Sequence, residues 1–112
     1  MSHRLIAVTR KESGPSLIET LQPWNDNGIM HKPGSKFDHF REIGYIEVSE
    51  VTSTFMNIME ITGYVTSTGE WHDRKDLTTG SYDPDFDRLV EADLASVEDQ
   101  NDHVTHLVMI HN

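Results

Sequence analysis

The chain has 112 residues, no cysteine, 36% hydrophobic residues and a formal net charge of −10. This length is enough for one hydrophobic core, so we expect a single domain over residues 1–112. The lack of cysteine excludes disulfides and thiolate metal sites, and the negative charge disfavours direct binding to nucleic acid or anionic membranes. No apolar run approaches the roughly 20 residues that cross a bilayer, and a signal peptide's apolar stretch is missing, so we expect a cytoplasmic protein.

A buried strand and a short capped helix are predicted at the start of the chain. Residues 3–10 form an apolar run with charged ends, which favours a strand buried on both faces and central in a sheet. Ser16 and Glu19 then have the spacing of a capping box. The helix that they begin is expected to end at Pro23.

A loop and a helical insertion are predicted next. Residues 24–36 contain Asn-Asp-Asn-Gly and Lys-Pro-Gly, which are turn sequences. Ser35 is a suitable helix cap, and the spacing of Phe37, Phe40 and Ile43 predicts an insertion of about two helical turns that ends at Gly44.

The middle of the chain predicts two strands and a hairpin. Residues 45–52 alternate between apolar and polar side chains, which favours a half-exposed strand. Residues 55–61 fit a helix or a strand, and we interpret 56–66 as a strand. Residues 67–70 resemble a hairpin turn that leads into Trp71.

An acidic helix and a final strand are predicted in the last third. Asp83 is a good N-cap and Pro84 suits the first helical position, so a helix is expected over about 84–99. Its apolar residues fall within one arc: Phe86, Leu89, Val90, Leu94 and Val97. Residues 104–110 then predict a strand buried on both sides.

The resulting order is strand, helix, strand, strand, helix, strand. This order predicts an α+β fold, a ferredoxin-like split βαβ sandwich with a short helical insertion after the first helix. It would have a four-stranded antiparallel sheet, both helices on one face and the terminal strands paired in the middle. Such a fold hosts many functions, so it does not select one.

The charge is concentrated in residues 70–102, which hold eleven acids and three bases and therefore carry −8 of the net charge of −10. The predicted helix supplies an acidic face: Asp85, Asp87, Glu91, Glu98 and Asp99. A row of carboxylates of this kind could compete with phosphates for a nucleic-acid-binding protein. The alternative is a solvated outer face that only keeps the helix in water.

Asp93 and His106 are weak candidates for acid/base catalysis. Asp93 falls inside the apolar arc of the helix, and His106 falls among the apolar residues of the last strand. A buried carboxylate needs a partner, and the helix could cover the strand face that carries His106. The two could form a catalytic dyad, or a structural ion pair, or lie separately at the rim of the core.

The seven histidines favour no metal site and no cofactor is predicted. His103 and His106 are three residues apart, which on a strand places them on opposite faces. His103 and His111 share a face but lie about 27 Å apart. A metal site would therefore need partners distant in the sequence, such as His72 or His39.

Two tryptophans suggest a ligand site. The candidates are Trp24, Asn25 and Asn27 in the first loop, with Trp71 and His72 after the hairpin turn. An exposed tryptophan in a polar loop often anchors a ligand or a partner. Alternatively, Trp24 fixes the first helix to the core and Trp71 covers a sheet edge.

Short motifs give one resemblance. Residues 21–27 read Leu-Gln-Pro-Trp-Asn-Asp-Asn, residues 69–72 read Gly-Glu-Trp-His, and the chain ends in Ile-His-Asn after an apolar strand. In these elements the chain resembles a group of small uncharacterised bacteriophage proteins. The resemblance implies a phage-encoded accessory protein that acts in the cytoplasm of a bacterial host.

These patterns lead to three hypotheses. The first is a non-enzymatic protein that inhibits a basic host protein, such as a nucleic-acid-binding defence or transcription component, through a face that mimics nucleic acid. The second is a small-molecule binder or enzyme with a pocket near Trp24 and Trp71. The third is an assembly subunit or homo-oligomer in which an exposed edge strand such as 45–52 pairs with a second copy.

Overall fold

A five-stranded mixed sheet forms the centre of the molecule. The structure is a computed structural model that describes residues 3–26, 35–51, 60–76 and 79–111. The strands, in chain order β1 to β5, are His3–Lys11, His39–Glu47, Gly63–Val65, Trp71–Asp73 and His103–His111. Their order across the sheet is β2-β5-β1-β3-β4. Only β1 and β3 pair in parallel; the other neighbours are antiparallel.

The terminal strands β1 and β5 pair along nine residues, from His3 opposite His111 to Lys11 opposite His103. Both have neighbours on their outer sides, and four consecutive residues of β1, 6–9, are buried. Residues 103–108 of β5 are buried as well. The two apolar runs at the ends of the chain therefore form doubly covered strands, as their sequences predict.

Two helices cover opposite faces of this sheet. Helix α1, Leu17–Leu21, packs on the face that carries Ile6, Val8 and Val108, here called the α1 face. Helix α2, Phe86–Val97, packs on the face that carries Ala7, Tyr64 and Leu107, here called the α2 face. No helix in the described part of the chain has the length and apolar character needed to span a membrane.

The predicted ferredoxin-like sandwich is wrong. The sheet has five strands and is mixed, and its helices lie on both faces instead of one. After β1 the chain passes through α1, which has five residues and continues as a 3-10 turn at Gln22–Trp24, on the α1 face. It then adds β2 on the far side of β5, parallel to β1, whereas α2 packs on the opposite face.

The predicted helical insertion after Ser35 is also wrong, because β2 occupies residues 39–47. The ladder between β2 and β5 shifts register between Glu42 and Gly44, which inserts Ile43 as a bulge. A bulge interrupts the two-residue alternation of a strand. The bulge residue is apolar and comes three residues after the last apolar residue before it. The sequence therefore shows the three-residue spacing of a helix at Phe37, Phe40 and Ile43.

The strand predicted over 45–52 overlaps β2 only at 45–47, and residues 48–50 form a 3-10 turn. Residue 52 lies outside the described residues. Of the strand predicted over 56–66, the structure assigns 63–65 to β3, and residues 56–59 lie outside the described residues.

The hairpin that leads into Trp71 is confirmed. The backbone N–H of Thr66 donates to Glu70, and that of Gly69 donates to Thr66. Gly69 has a φ of +88°, which a glycine adopts without strain. The turn pairs β3 with β4 and sets Tyr64 opposite His72.

The acidic helix is confirmed with shorter bounds than the predicted 84–99. Its N-cap is Asp85, not Asp83, and it continues past Val97 as a 3-10 turn at Glu98–Gln100. Asp83 still caps the chain just before the helix, since its carboxylate accepts a hydrogen bond from the backbone N–H of Asp85 at 2.9 Å. The predicted buried residues Phe86, Val90, Leu94 and Val97 form the core of the α2 face.

Candidate functional site

The acidic face of α2 consists of Asp85, Asp87, Glu91, Glu98 and Asp99. Four of these side chains are exposed, and Asp87 is half-buried because Arg74 donates to its Oδ1 at 3.0 Å. Asp85 lies 3.6 Å from the exposed Arg88, a contact that contributes little in water. No described cation pairs with Glu91, Glu98 or Asp99, so these three carboxylates face solvent.

Most lysines and arginines of the described residues make contacts within the chain. Five lysines and arginines of the described residues pair with described carboxylates: Arg4, Lys11, Lys36, Arg74 and Arg88. Arg10 donates instead to the carbonyls of Lys11, Glu12 and Pro15. Neutralising the bases locally leaves the excess of acids to set the field around α2.

The two tryptophans, far apart in sequence, meet on the α1 face. The ring centroids of Trp24 and Trp71 are 5.4 Å apart, and Trp71 also stacks on Phe37 at 6.2 Å. The backbone of Trp24 is held by the segment before β2, because the N–H of Lys36 donates to the Trp24 carbonyl at 2.8 Å. The cluster packs on the α1 face at the edge strand β4.

Asp73 is the polar centre beside these rings. Its carboxylate accepts hydrogen bonds from the Trp71 indole N–H at 3.0 Å, Arg4 at 3.3 Å and Lys36 at 3.4 Å. Arg4 is nearly buried, with 11% of its side chain exposed, so this contact connects β1 to β4 in a partly desolvated setting. The arrangement orients Trp71 and needs no ligand to be satisfied.

The other predicted ligand-binding residues divide between places. Asn25 adjoins the tryptophans, and its side-chain oxygen is buried without a hydrogen-bond partner in the described chain. His72 points to the α2 face, where its Nε2 lies 3.6 Å from Glu70. Asn27 lies outside the described residues. The structure therefore brings Trp24 and Trp71 together, with Asn25 next to Trp24 in the chain, and places His72 on the other face of the sheet.

Asp93 anchors α2 to the sheet through hydroxyl groups. It accepts hydrogen bonds from the Tyr64 hydroxyl at 2.6 Å, the Ser67 hydroxyl at 2.7 Å and the Ser67 backbone N–H at 2.9 Å. The Tyr64 oxygen also lies 2.7 Å from Thr9 Oγ1, which lies 2.8 Å from Thr105 Oγ1. Because a phenol has one proton and gives it to Asp93, Thr9 donates to Tyr64 and Thr105 donates to Thr9.

This hydroxyl chain has an electrostatic consequence for Tyr64. Burial, together with the hydrogen bond to the Asp93 carboxylate, raises the pKa of Tyr64 far above its usual value. The tyrosine therefore stays protonated and serves as a permanent donor to Asp93. Asp93 therefore lies within the apolar arc of α2 because its carboxylate anchors the helix to the sheet.

His106 lies on the α1 face, opposite to the face that carries Asp93, so the two side chains cannot form a pair. Its Nδ1 lies 2.8 Å from Glu42 Oε1, and its Nε2 accepts from Arg10 Nε at 2.9 Å. An arginine can only donate, which fixes the proton of the neutral ring on Nδ1. Both ring nitrogens are thus occupied, and no acid/base dyad forms.

A cavity of about 260 Å³ lies beside Arg74, and no pattern in the sequence predicts it. Its lining residues are Glu60, Ile61, Thr62, Arg74, Lys75 and Tyr82. The Arg74 guanidinium is held by the Ile61 carbonyl at 2.8 Å and by Asp87, and it lies over the Phe86 ring. Its Nη2 is buried and lacks a partner among the described residues.

A row of three histidines was also missed. His111 on β5 is the direct cross-strand partner of His3 on β1 and of His39 on β2. The rings of His3 and His111 have centroids 4.1 Å apart. Partial burial lowers the pKa of His111, and the positive charges of His3, His39 and Arg41 lower it further. Only the strand order, which sequence spacing does not reveal, brings these residues together.

Among residues 3–26, 35–51, 60–76 and 79–111, no group of three or more histidine or carboxylate side chains could hold a metal ion. Comparison of the chain with protein-family models, curated proteins and solved structures found no match. The function of this chain must therefore be inferred from its own surfaces and contacts.

Proposed function

We propose that this chain is a non-enzymatic binding protein whose acidic face occupies a basic surface on another protein. The observation that carries this proposal is that Glu91, Glu98 and Asp99 are exposed and have no cationic partner among the described residues, while most described bases make contacts within the chain. A negative surface of this kind steers a positive partner and raises its rate of association.

The clustering of the carboxylates supports a partner that ordinarily binds nucleic acid. Glu91 lies on α2, and Glu98 and Asp99 lie on the 3-10 turn that continues it. Several exposed anions close together in the chain present a negative potential, as phosphates do. The resemblance to phage proteins would place the partner in a bacterial host, and inhibition of that partner is part of our proposal.

The test uses two variants of equal charge change. Glu91→Lys with Glu98→Lys alters the acidic face, and Glu12→Lys with Glu47→Lys alters exposed acids elsewhere. Asp87 is left unchanged because it holds Arg74. Each tagged protein is used to capture partners from a bacterial lysate, which are eluted with increasing salt and identified by mass spectrometry.

The proposal expects a basic, nucleic-acid-binding protein that the unaltered chain and the Glu12/Glu47 variant retain and the Glu91/Glu98 variant loses. Elution at moderate salt is expected, because surface charges are screened. Equal loss in both variants would mean that only total charge matters. Retention by the Glu91/Glu98 variant would exclude the acidic face as the binding surface.

A second candidate function is binding of a small polar molecule beside Trp24 and Trp71. The observation that favours it is the buried, unpartnered side-chain oxygen of Asn25 next to the tryptophan pair. A ligand ring could pack on the indoles, and a ligand N–H or O–H could satisfy that oxygen once the Asn25 side chain turns toward solvent. Native mass spectrometry of the purified protein tests this idea, with an Asn25→Leu variant as the control that should lose any retained ligand.

A further inference from the structure

The cavity beside Arg74 is enclosed by two segments whose backbones are hydrogen-bonded to each other. One segment lies just before β3, and the other follows β4, where Lys75 and Tyr82 form an isolated antiparallel bridge. The backbone N–H of Arg74 donates to the Thr62 carbonyl at 2.8 Å, and the Arg74 carbonyl accepts from the N–H of Asp83 at 2.8 Å. The walls of the cavity are therefore held in place by main-chain contacts.

Two cations that are adjacent in the chain line this cavity. The Lys75 ammonium lies 5.5 Å from the centre of the Tyr82 ring, and no carboxylate of the described residues forms an ion pair with it. A cation over a ring at an exposed site is held weakly, so this ammonium is available to an anion. Arg74 has acceptors for Nε and Nη1, whereas its Nη2 is buried and has none among the described residues. The exposed Lys75, and not the covered Nη2, is therefore the group that an anion can contact.

The remaining walls and the size of the cavity favour a small apolar body. Ile61 and the Tyr82 ring supply apolar contact, and the Thr62 hydroxyl is already engaged with the Leu5 carbonyl at 3.3 Å. The volume of about 260 Å³ is below the range of about 300–1,000 Å³ that is usual for pockets of drug-sized ligands. A single substituted ring suits this space better than a nucleotide or a peptide does.

Two features oppose an anion here. Glu60 also lines the cavity, and the chain as a whole carries a net charge of −10. Exposed charges more than about 8 Å away are largely screened at physiological ionic strength, so the local charges decide. The three charged lining residues, Glu60, Arg74 and Lys75, sum to +1, and Asp87 offsets part of the Arg74 charge from outside the cavity. Lys75 therefore attracts an anion, and Glu60 limits its affinity.

We propose that this cavity binds a small aromatic carboxylate, with the carboxylate on Lys75 and the ring between Ile61 and Tyr82. The ring displaces water from the apolar walls, and the carboxylate gains a charge-assisted hydrogen bond from the ammonium. The site shares no residue with the tryptophan pair or with the exposed acids of the acidic face. It is therefore independent of both functions proposed above.

The first test follows the backbone amide signals of the ¹⁵N-labelled full chain by NMR during titration with benzoate, benzamide and benzylamine. These probes share a ring and differ in charge, which is negative, zero and positive in that order. Benzoate is expected to shift the signals of residues 60–62, 74–75 and 82 to saturation and to bind more tightly than the other two. The proposal is overturned if benzoate leaves these signals unchanged or if either of the other probes binds as tightly.

The second test changes one charge at a time at exposed residues. Lys75→Gln should weaken benzoate binding by about threefold or more, and Glu60→Gln should strengthen it, because each removes a charge close to the carboxylate. The matched controls are Lys11→Gln and Glu12→Gln, which make the same charge changes at the far end of β1 and should leave the affinity unchanged. Benzamide should respond to none of the four variants.

Two results of the second test would overturn the proposal. One is full benzoate affinity in Lys75→Gln, which would clear this ammonium of the role. The other is a loss in Lys11→Gln equal to that in Lys75→Gln, which would mean that only the total charge of the protein matters.

Discussion

The two faces of the sheet are covered by different means. On the α1 face a five-residue helix leaves much of the surface to aromatic rings, and Phe37, Trp24 and Trp71 complete the cover. On the α2 face a twelve-residue helix supplies four aliphatic or aromatic residues of its own and is joined to the sheet by hydroxyl groups. The face under the short helix is thus covered largely by side chains from outside that helix, whereas the longer helix covers its face with its own side chains.

The largest difference between the faces should come from removing the central ring of the α1 face. Phe37 is 1% exposed and contacts Trp71 and Phe40. Phe37→Ala is expected to lower the free energy of unfolding by about 3–5 kcal/mol, because nothing else on this face can fill the cavity. Urea denaturation measures the change. A loss below that of Leu94→Ala on the α2 face would contradict the view that rings dominate the α1 face.

Removing the anchor of the α2 face should have the next largest effect. Asp93→Leu leaves the Tyr64 hydroxyl and the Ser67 N–H without their acceptor, which should cost about 1–3 kcal/mol. Adding Tyr64→Phe to that variant should recover part of the loss, since the buried donor is then absent. Urea denaturation of both single variants and the double variant gives this coupling. Strict additivity would show that the two side chains act independently.

Alkaline pH should weaken the α2 face selectively. Burial and Asp93 raise the pKa of Tyr64, so above pH of about 10 the unfolded chain loses this proton while the folded chain keeps it. The free energy of unfolding should therefore fall as the pH rises above that value. Tyr64→Phe should remove this component, and the exposed-site control Tyr82→Phe should retain it. Urea denaturation at a series of alkaline pH values measures how the free energy of unfolding depends on pH in each variant.

The smallest effect should come from the acidic face itself. Glu91→Lys with Glu98→Lys is expected to change the free energy of unfolding by no more than about 0.5 kcal/mol per site, since neither side chain has a described partner. Thermal denaturation checks the result. A large loss would mean that these carboxylates stabilise α2, and would weaken the case that they are kept for a partner.

Local signals predicted several elements correctly, although the predicted fold class is wrong. The capping box of Ser16 and Glu19 is present with both of its hydrogen bonds, because it depends only on neighbouring residues. The apolar runs of β1 and β5 and the buried arc of α2 follow from periodicity in the same way. These local signals could not predict the order of the strands, since that order depends on pairing between strands that are far apart in the sequence.

The candidate sites show the same division. The acidic face could be recognised from helical spacing alone, and four of its five members are exposed. A site shared by Trp24 and Trp71 was only one of two interpretations of the tryptophans, because no local pattern links residues so far apart. The separation of Asp93 from His106 could not be foreseen, since it depends on α2 covering the face opposite to His106.

The bulge at Ile43 bears on how this sheet ends. In the described part of the chain β2 pairs only with β5, so a nine-residue strand has one open edge. Open edges of that length invite pairing with other chains and growth into aggregates. An inserted residue distorts the exposed backbone groups, and Arg41, Glu42 and Glu47 place charges along them. The bulge that obscures the strand pattern of β2 in the sequence therefore also makes β2 poorly suited to pair with a strand of a neighbouring molecule.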